Sequence, residues 1–282
     1  VSPVSPIQAV VYGVVQGLTE FLPVSSTAHL RIVPALLNWE DPGAAFTAVI
    51  QLGTMAAVVL YFWRELLHVA VAWLRGILSL RGGDGSERQS LEYRMGWYLI
   101  LATVPVGVFG LIFSHQIETG ARNLWLIAGA LIVMAVVLFL AERTGTRHRD
   151  EEQINTRDAV VVGAAQSLAL IPGVSRSGAT ITAGLFRGLD RVTAARFSFL
   201  LSVPAVVASG LFEARKIGGA HAPGMGVTVV ATVISFGVGL ASIAWLIRYI
   251  SRHSMFVFIY YRIALGLLLI GLLSGGVVSA TT

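Results

Sequence analysis

Two apolar stretches of this chain, 7–37 and 158–190, are broken by proline near their middles, and this constrains the fold more than any other feature. The first contains Phe21-Leu22-Pro23-Val24-Ser25-Ser26, the second Ile171-Pro172-Gly173-Val174-Ser175-Arg176-Ser177-Gly178. Proline removes a backbone donor and clashes with the preceding turn, so a helix stops there. Each half is then too short to cross a bilayer core, which takes about 20 helical residues. Six other apolar segments have that length: 44–64, 96–114, 124–142, 194–214, 225–247 and 255–275. The expected fold is all-α: a polytopic membrane protein of six transmembrane helices plus two re-entrant helical hairpins. Irregular backbone at membrane depth is tolerated only where it lines protein or a watery cavity. Composition agrees, since 55% of the 282 residues are hydrophobic and only 12% are charged. A soluble domain carries about 25% charged residues, and a chain this poor in charge cannot cover a surface facing water.

The charges that exist give the orientation. Arg75, Arg81, Arg88 and Arg94 fall in one loop, and Arg143, Arg147, Arg149 and Arg157 in another. Arg187, Arg191 and Arg196 follow the second hairpin, and Arg248 and Arg252 join the last two spans. The positive-inside rule places all of these in the cytoplasm and leaves Arg122, Arg215 and Lys216 outside. Both termini then face outward, and the hairpins enter from opposite sides so that their tips meet near the midplane. Trp63, Trp97, Trp125 and Trp245 sit near span ends, as interfacial anchors do. The net charge of +5 lies in short loops between spans, not on a nucleic-acid-binding face. The absence of cysteine excludes disulfides, thiolate catalysis and cysteine metal sites.

A repeat accompanies the two hairpins. Val15-Gln16-Gly17-Leu18 aligns with Ala165-Gln166-Ser167-Leu168, and Val24-Ser25 with Val174-Ser175, at a constant offset of 150 residues. A span led by Phe46 follows one hairpin and a span led by Phe197 follows the other. Residues 1–282 read as one transmembrane domain, with a first inverted repeat over 7–142 and a second over 158–275. Inverted repeats with helices broken at the midplane are a transporter arrangement.

The first hairpin gathers Gln16, Glu20, Ser25, Ser26, Thr27 and His29. Gln16 and Glu20, four apart, face one side of a helix. Glu20 stands near that helix's negative C-terminal end, where a carboxylate calls for a cation. Mg²⁺ or Ca²⁺ would suit, because both prefer oxygen ligands. A protonated Glu20 that merely packs is the plain alternative. Serine is a favoured N-cap, which accounts for one of Ser25 and Ser26 but not both. His29 follows Ser26 by three residues, on the same helical face, and a Ser–His pair is the minimal activated nucleophile. In the second hairpin a helix N-terminus, Arg176, Ser175, Ser177 and Thr180 make an anion site, and phosphate is the anion they suit. The structural alternative is a plain ion pair between Arg176 and Glu20. Gln51 and Gln166 are candidate cavity liners. Arg262, near the inner end of the last span, is expected to snorkel. Gly107 and Gly110 read as helix-packing positions.

The run from Gln16 to His29 closely resembles the first motif of the bacterial undecaprenyl pyrophosphate phosphatases, the bacitracin-resistance family. Pro172-Gly173-Val174-Ser175-Arg176-Ser177-Gly178-Ala179-Thr180 resembles the second motif, and Ile50-Gln51-Leu52-Gly53 also has the family's look. The resemblance covers essentially the whole chain. It implies hydrolysis of undecaprenyl diphosphate to the monophosphate, recycling of the lipid carrier for cell-wall synthesis, and bacitracin resistance. It implies a divalent cation, Mg²⁺ or Ca²⁺, at Gln16 and Glu20. The first of these positions is often Glu in relatives, so this chain has one carboxylate fewer for metal. It places the family's essential serine and histidine on Ser26 and His29 and its phosphate-binding arginine on Arg176. Ser25, Thr27, Ser175, Ser177 and Thr180 complete the phosphate-binding set. The implied partners are a polyprenyl diphosphate and membrane lipids, without nucleic acid, and a homodimer is allowed. The implied location is the bacterial plasma (inner) membrane, with the active site opening to the outer face.

In the expected mechanism Ser26, with His29 as base and Glu20 holding the cation, attacks the terminal phosphorus, and water then releases phosphate. Direct attack by water, with His29 or Glu20 as base, stands beside it, and Ser175 or Ser177 is an open alternative nucleophile. The rival class is a lipid-phosphate transporter, which needs the anion site but no nucleophile–base pair. A siteless membrane scaffold is opposed by the cost of burying Glu20, His29 and Arg176.

Overall fold

The computed structural model describes residues 4–79, 86–113, 123–214 and 224–280. Among these, the chain forms α-helices without a β-strand ladder. The helices are α1 (Pro6–Thr19), α2 (Ser26–Leu37), α3 (Gly43–Tyr61), α4 (Trp63–Leu78), α5 (Leu91–Ile112), α6 (Leu124–Thr144), α7 (Thr156–Ser167), α8 (Arg176–Phe186), α9 (Arg191–Ala214), α10 (Met225–Ile250) and α11 (Phe256–Ser274). Four of them, α5, α6, α10 and α11, are long and apolar enough to span a membrane by length and composition. The bent pair α3–α4 meets the same test as one broken unit. The chain is therefore a multi-pass, all-α membrane protein. Arg81, Arg122, Arg215 and Lys216 of the orientation argument lie outside the described residues.

The two proline-broken stretches form the helix pairs α1–α2 and α7–α8. Local chemistry sets their ends. Ser5 and Gln8 cap each other at the start of α1, with Pro6 at its first turn, and Asn155 and Asp158 do the same for α7. After Pro23 and Pro172 the chain restarts as α2 and α8, capped by the Ser25 and Ser175 hydroxyls, which accept from the Ala28 and Gly178 amides. Both serines sit at positive φ, +75° and +73°. That region costs a residue with a Cβ about 1–3 kcal/mol and is held only where the surroundings over-determine it.

The spans grip the hairpins from outside. Helix α1 packs on α10, and α7 lies on α5. The second contact is close because Gly163 has no side chain: a Cβ there would stand 2.5 Å from the Ala102 Cα. Gly107 and Gly110, expected to pack helices, make no such approach; nothing lies within 4 Å of a Cβ on Gly107. They lie on a stretch of α5 whose large side chains, such as Val108 and Leu111, are exposed and read as lipid-facing. Helix α4 is the other departure from the sequence reading, which has the span ending near 64 and a loop from 75. The chain instead bends by 76° at Phe62 and continues as helix to Leu78. Arg64, Glu65, His68 and Arg75 give α4 a polar side, so hydropathy marks it as the end of a span.

At the end where the loop arginines collect, buried acids take them in pairs. Asp158 accepts from Arg149 at 3.0 Å and from Arg187 at 2.7 Å. Glu142 accepts from Arg147 at 3.1 Å and from Arg191 at 2.9 Å. These bonds tie α6, the 145–155 loop, α7, α8 and α9 together.

Candidate active site

Glu20 is the C-cap of α1, in the short turn that leads through Pro23 to α2. Its carboxylate is almost fully buried, and side chains from both hairpins converge on it. Oε2 accepts from the Ser26 hydroxyl at 2.7 Å and from the Gln16 amide at 3.0 Å. Oε1 accepts from the Gln51 amide at 3.3 Å and from the Arg176 guanidinium. The ion pair considered as the structural alternative is thus formed, and it forms at the centre of a polar cluster. Gln16 also donates to Thr54 Oγ1 at 3.3 Å, and Thr54 donates to the Gln51 backbone carbonyl at 2.8 Å, which fixes the Gln16 amide.

These groups line a cavity of about 300 Å³. Its wall includes Gln16, Glu20, Gln51, Gln166, Ser175 and Arg176, together with the Ser25–Thr27 turn. The first amides of a helix have no partner within it, and α2 and α8 begin at this wall, at Ser26 and Arg176. Two positive helix ends, a guanidinium and several hydroxyls therefore border one small space. Glu20 is the sole carboxylate on the wall, and no group of three or more His, Asp or Glu that could cage a metal occurs among the described residues. This donor set would suit a hard cation, with Glu20 and the side-chain oxygens of Gln16 and Gln51 as the groups that would hold it.

Three of the sequence-predicted residues lie away from the wall. Ser177 turns back to donate to the Leu22 carbonyl at 3.0 Å and lies 3.1 Å from the Ser175 hydroxyl, joining the two tips. Thr180 bonds to the Arg176 carbonyl and, at 2.6 Å, to Ser198 of α9. His29 does not meet Ser26. Its Nδ1 lies 2.7 Å from the Ser25 carbonyl and its Nε2 2.6 Å from the Tyr261 hydroxyl. The helical spacing of three is present, but the ring folds back on its own turn. The base within reach of the Ser26 hydroxyl is Glu20.

Arg262 overturns the expectation of snorkelling. It is 1% exposed and donates to five carbonyls: Pro23 at 2.9 Å, Gly173 at 2.7 Å, Val174 at 3.1 Å, Leu131 at 3.2 Å and Ala130 at 3.4 Å. It ties the two hairpin tips to each other and to α6. Pro23 cannot donate to a ladder and the tip carbonyls have left theirs, so a planar fork of donors between them satisfies what the breaks expose. Thr54 and Tyr261 were also missed. Thr54 carries the one available signal, since it stands three residues after Gln51 on the same helical face.

Residues 9–268 match the family model described as bacitracin resistance protein BacA. A protein of Mycobacterium sp. (strain KMS) named undecaprenyl-diphosphatase is 52% identical, over 97% of this chain and 99% of its own. Proteins with the same name from Nocardia farcinica (strain IFM 10152) and Thermobifida fusca (strain YX) are 49% and 48% identical. Each alignment covers 98% of this chain, with 98% and 92% of the relative's own length.

Proposed function

Because the chain belongs to the bacitracin resistance protein BacA family, we propose that it is an undecaprenyl-diphosphatase working through the Glu20 cavity. It hydrolyses undecaprenyl diphosphate to undecaprenyl phosphate and inorganic phosphate. It recycles the lipid carrier for cell-wall synthesis in the bacterial inner membrane, lowers the pool of diphosphate available to bacitracin, and acts on substrate presented at the outer face. The observation that carries the reading is the two-sided use of Glu20, with a hydroxyl on one oxygen and a guanidinium on the other. A transporter's anion site has no need of a hydroxyl aimed at a carboxylate.

The prenyl chain stays in lipid while the diphosphate enters the cavity. Arg176 and the N-termini of α2 and α8 bind the terminal phosphate, with Ser25, Thr27 and Ser175 at the wall. Phosphoryl transfer calls chiefly for positioning and charge neutralisation. A divalent cation held by Glu20 and Gln16 would supply part of that neutralisation. The Ser26 hydroxyl attacks the terminal phosphorus as its proton passes to Glu20. The phosphorus–oxygen bond to the leaving prenyl phosphate breaks, and Glu20 gives the proton to the departing oxygen and returns to the carboxylate. Water, deprotonated by the regenerated Glu20 carboxylate, then attacks the seryl phosphate and frees phosphate as the bond to Ser26 breaks and the serine oxygen takes that proton back from Glu20. Assigning the base to Glu20 instead of His29 follows the 2.7 Å contact.

The test is phosphate release from a polyprenyl diphosphate by purified protein, with Mg²⁺, with Ca²⁺ and with chelator. Ser26→Ala and Arg176→Ala are compared with wild type. Cation-dependent release abolished by both substitutions supports the reading. Folded wild type that releases none with either cation overturns it.

A further inference from the structure

We propose that Tyr261 is a positioning residue for this reaction, acting through His29 on the turn that presents Ser26 to Glu20. The proposal rests on the phosphatase reading of the same cavity.

The polarity of the contact is dictated by chemistry. The Ser25 carbonyl can only accept, so the proton between it and His29 sits on Nδ1. In the neutral ring Nε2 is then an acceptor, and the Tyr261 hydroxyl 2.6 Å away is its donor. The two rings lie nearly parallel, 7° apart in plane, with centroids at 5.6 Å. Both ring nitrogens are therefore occupied, and neither is free to take the Ser26 proton.

What the ring does instead is hold Ser25. The Ser25 carbonyl accepts twice from one residue, from the His29 ring and from the His29 backbone N–H at 3.2 Å. Ser25 is the residue at φ +75° and ψ +97° immediately before Ser26. A dihedral in this costly region relaxes unless something holds the peptide, and rotation of the Ser25 carbonyl would swing Ser26 with it. The second tip supports the assignment by contrast. Its serine, Ser175, has the same positive φ, and Ala179 stands where His29 stands, 150 residues on. Among the described residues the Ser175 carbonyl accepts only the Ala179 amide, and Arg262 holds the two preceding carbonyls. The tip bearing the hydroxyl thus has a brace that the tip bearing the guanidinium lacks. Both supports come from adjacent residues of α11, Tyr261 and Arg262.

The experiment uses the full chain, purified, with a polyprenyl diphosphate as substrate. Tyr261→Phe removes one hydroxyl and leaves the ring. Its kcat is expected to fall about tenfold or more with KM within twofold of wild type, because a loosened turn misplaces a reacting group. His29→Asn keeps an N–H donor where Nδ1 was, so it is expected to retain measurable turnover. Adding Tyr261→Phe to His29→Asn is expected to change nothing further, since the tyrosine acts through the ring. The ¹⁵N spectrum of histidine-labelled protein is expected to show His29 protonated on Nδ1 and bare on Nε2, with the Nε2 signal moved in Tyr261→Phe. Wild-type kcat in Tyr261→Phe overturns the proposal, as does an effect confined to KM or an additive loss in the double variant. If wild type releases no phosphate, the enzyme reading fails on its own, and the ¹⁵N spectrum still decides whether the brace exists.

Discussion

Arg262→Met would remove the guanidinium that joins the hairpin tips and keep an unbranched apolar stem. The Ala130 and Leu131 carbonyls lie inside α6, where the helix supplies a donor. Those of Pro23, Gly173 and Val174 lie outside helices, and no other backbone donor reaches them among the described residues. A buried carbonyl left unpaired costs about 1–3 kcal/mol, so three of them together cost roughly 3–9 kcal/mol. At about 2–4 °C per kcal/mol for a chain of this size, even the low end lowers the melting midpoint by roughly 6–12 °C. The assay is thermal unfolding in detergent, followed by helical circular dichroism. Phosphate release is then measured at a temperature where both proteins are folded. Activity is expected to be lost there too, because the tips that Arg262 joins carry Glu20, Ser26 and Arg176. Arg262→Lys, with a single ammonium that cannot reach both tips at once, should fall between the two. A methionine variant melting within about 2 °C of wild type would refute the argument, since that shift corresponds to at most about 1 kcal/mol.

Glu20→Gln keeps the side chain's size but removes the acceptor for the Ser26 proton and the counter-ion of Arg176. A kcat loss of about 10²–10⁴-fold is expected in the phosphate-release assay. Gly163→Val would force α7 away from α5, because even a Cβ meets the Ala102 Cα at 2.5 Å. It should lower the melting midpoint or abolish folded yield, judged by size-exclusion profile. Asp158→Ala would leave Arg149 and Arg187 without their shared acid. These arginines are 24% and 33% exposed, so the loss is expected at the low end for a broken buried pair, about 3 kcal/mol, read as a lower midpoint.

The helical membrane fold and its two broken segments were legible because they rest on local rules. Proline ends a helix whatever its surroundings, and a 20-residue apolar run has few alternatives in lipid. Helix α4 was not legible because its charges end a hydropathy window without ending the helix. The cavity's polar residues were legible by type, since Glu20, Ser26 and Arg176 are costly in an apolar segment unless used. Their partners were less so. The spacing of Ser26 and His29 puts them on one helical face, but the His29 ring turns back one turn to the Ser25 carbonyl instead. Tyr261 lies 232 residues from His29 in sequence, and no periodicity connects them. Arg262 looked like an end-of-span cation because the carbonyls it serves belong to turns far away in the chain.

The alignment of the two tips bears on what the cavity must still receive. Ser26 and Arg176 are equivalent positions, 150 residues apart, each the first residue of a helix behind a serine at positive φ. One tip supplies the hydroxyl and the other a fixed positive charge, and Glu20 lies between them. Before substrate arrives, the carboxylate and the guanidinium cancel. A terminal phosphate alone brings about two negative charges. The two helix N-termini offset roughly one of these, at about half a charge each. In a water-poor cavity the remainder would oppose binding and the further charge that develops as the leaving group departs. A second carboxylate at position 16 would deepen that deficit, and the neutral Gln16 spares the cavity that unit of charge. That residual charge is the physical ground for the proposed divalent cation. It also predicts the sense of the Gln16→Glu change: tighter cation binding, and a steeper dependence of turnover on Mg²⁺ or Ca²⁺ concentration. A cation titration of phosphate release that is identical in the two proteins would show that position 16 takes no part in holding the ion.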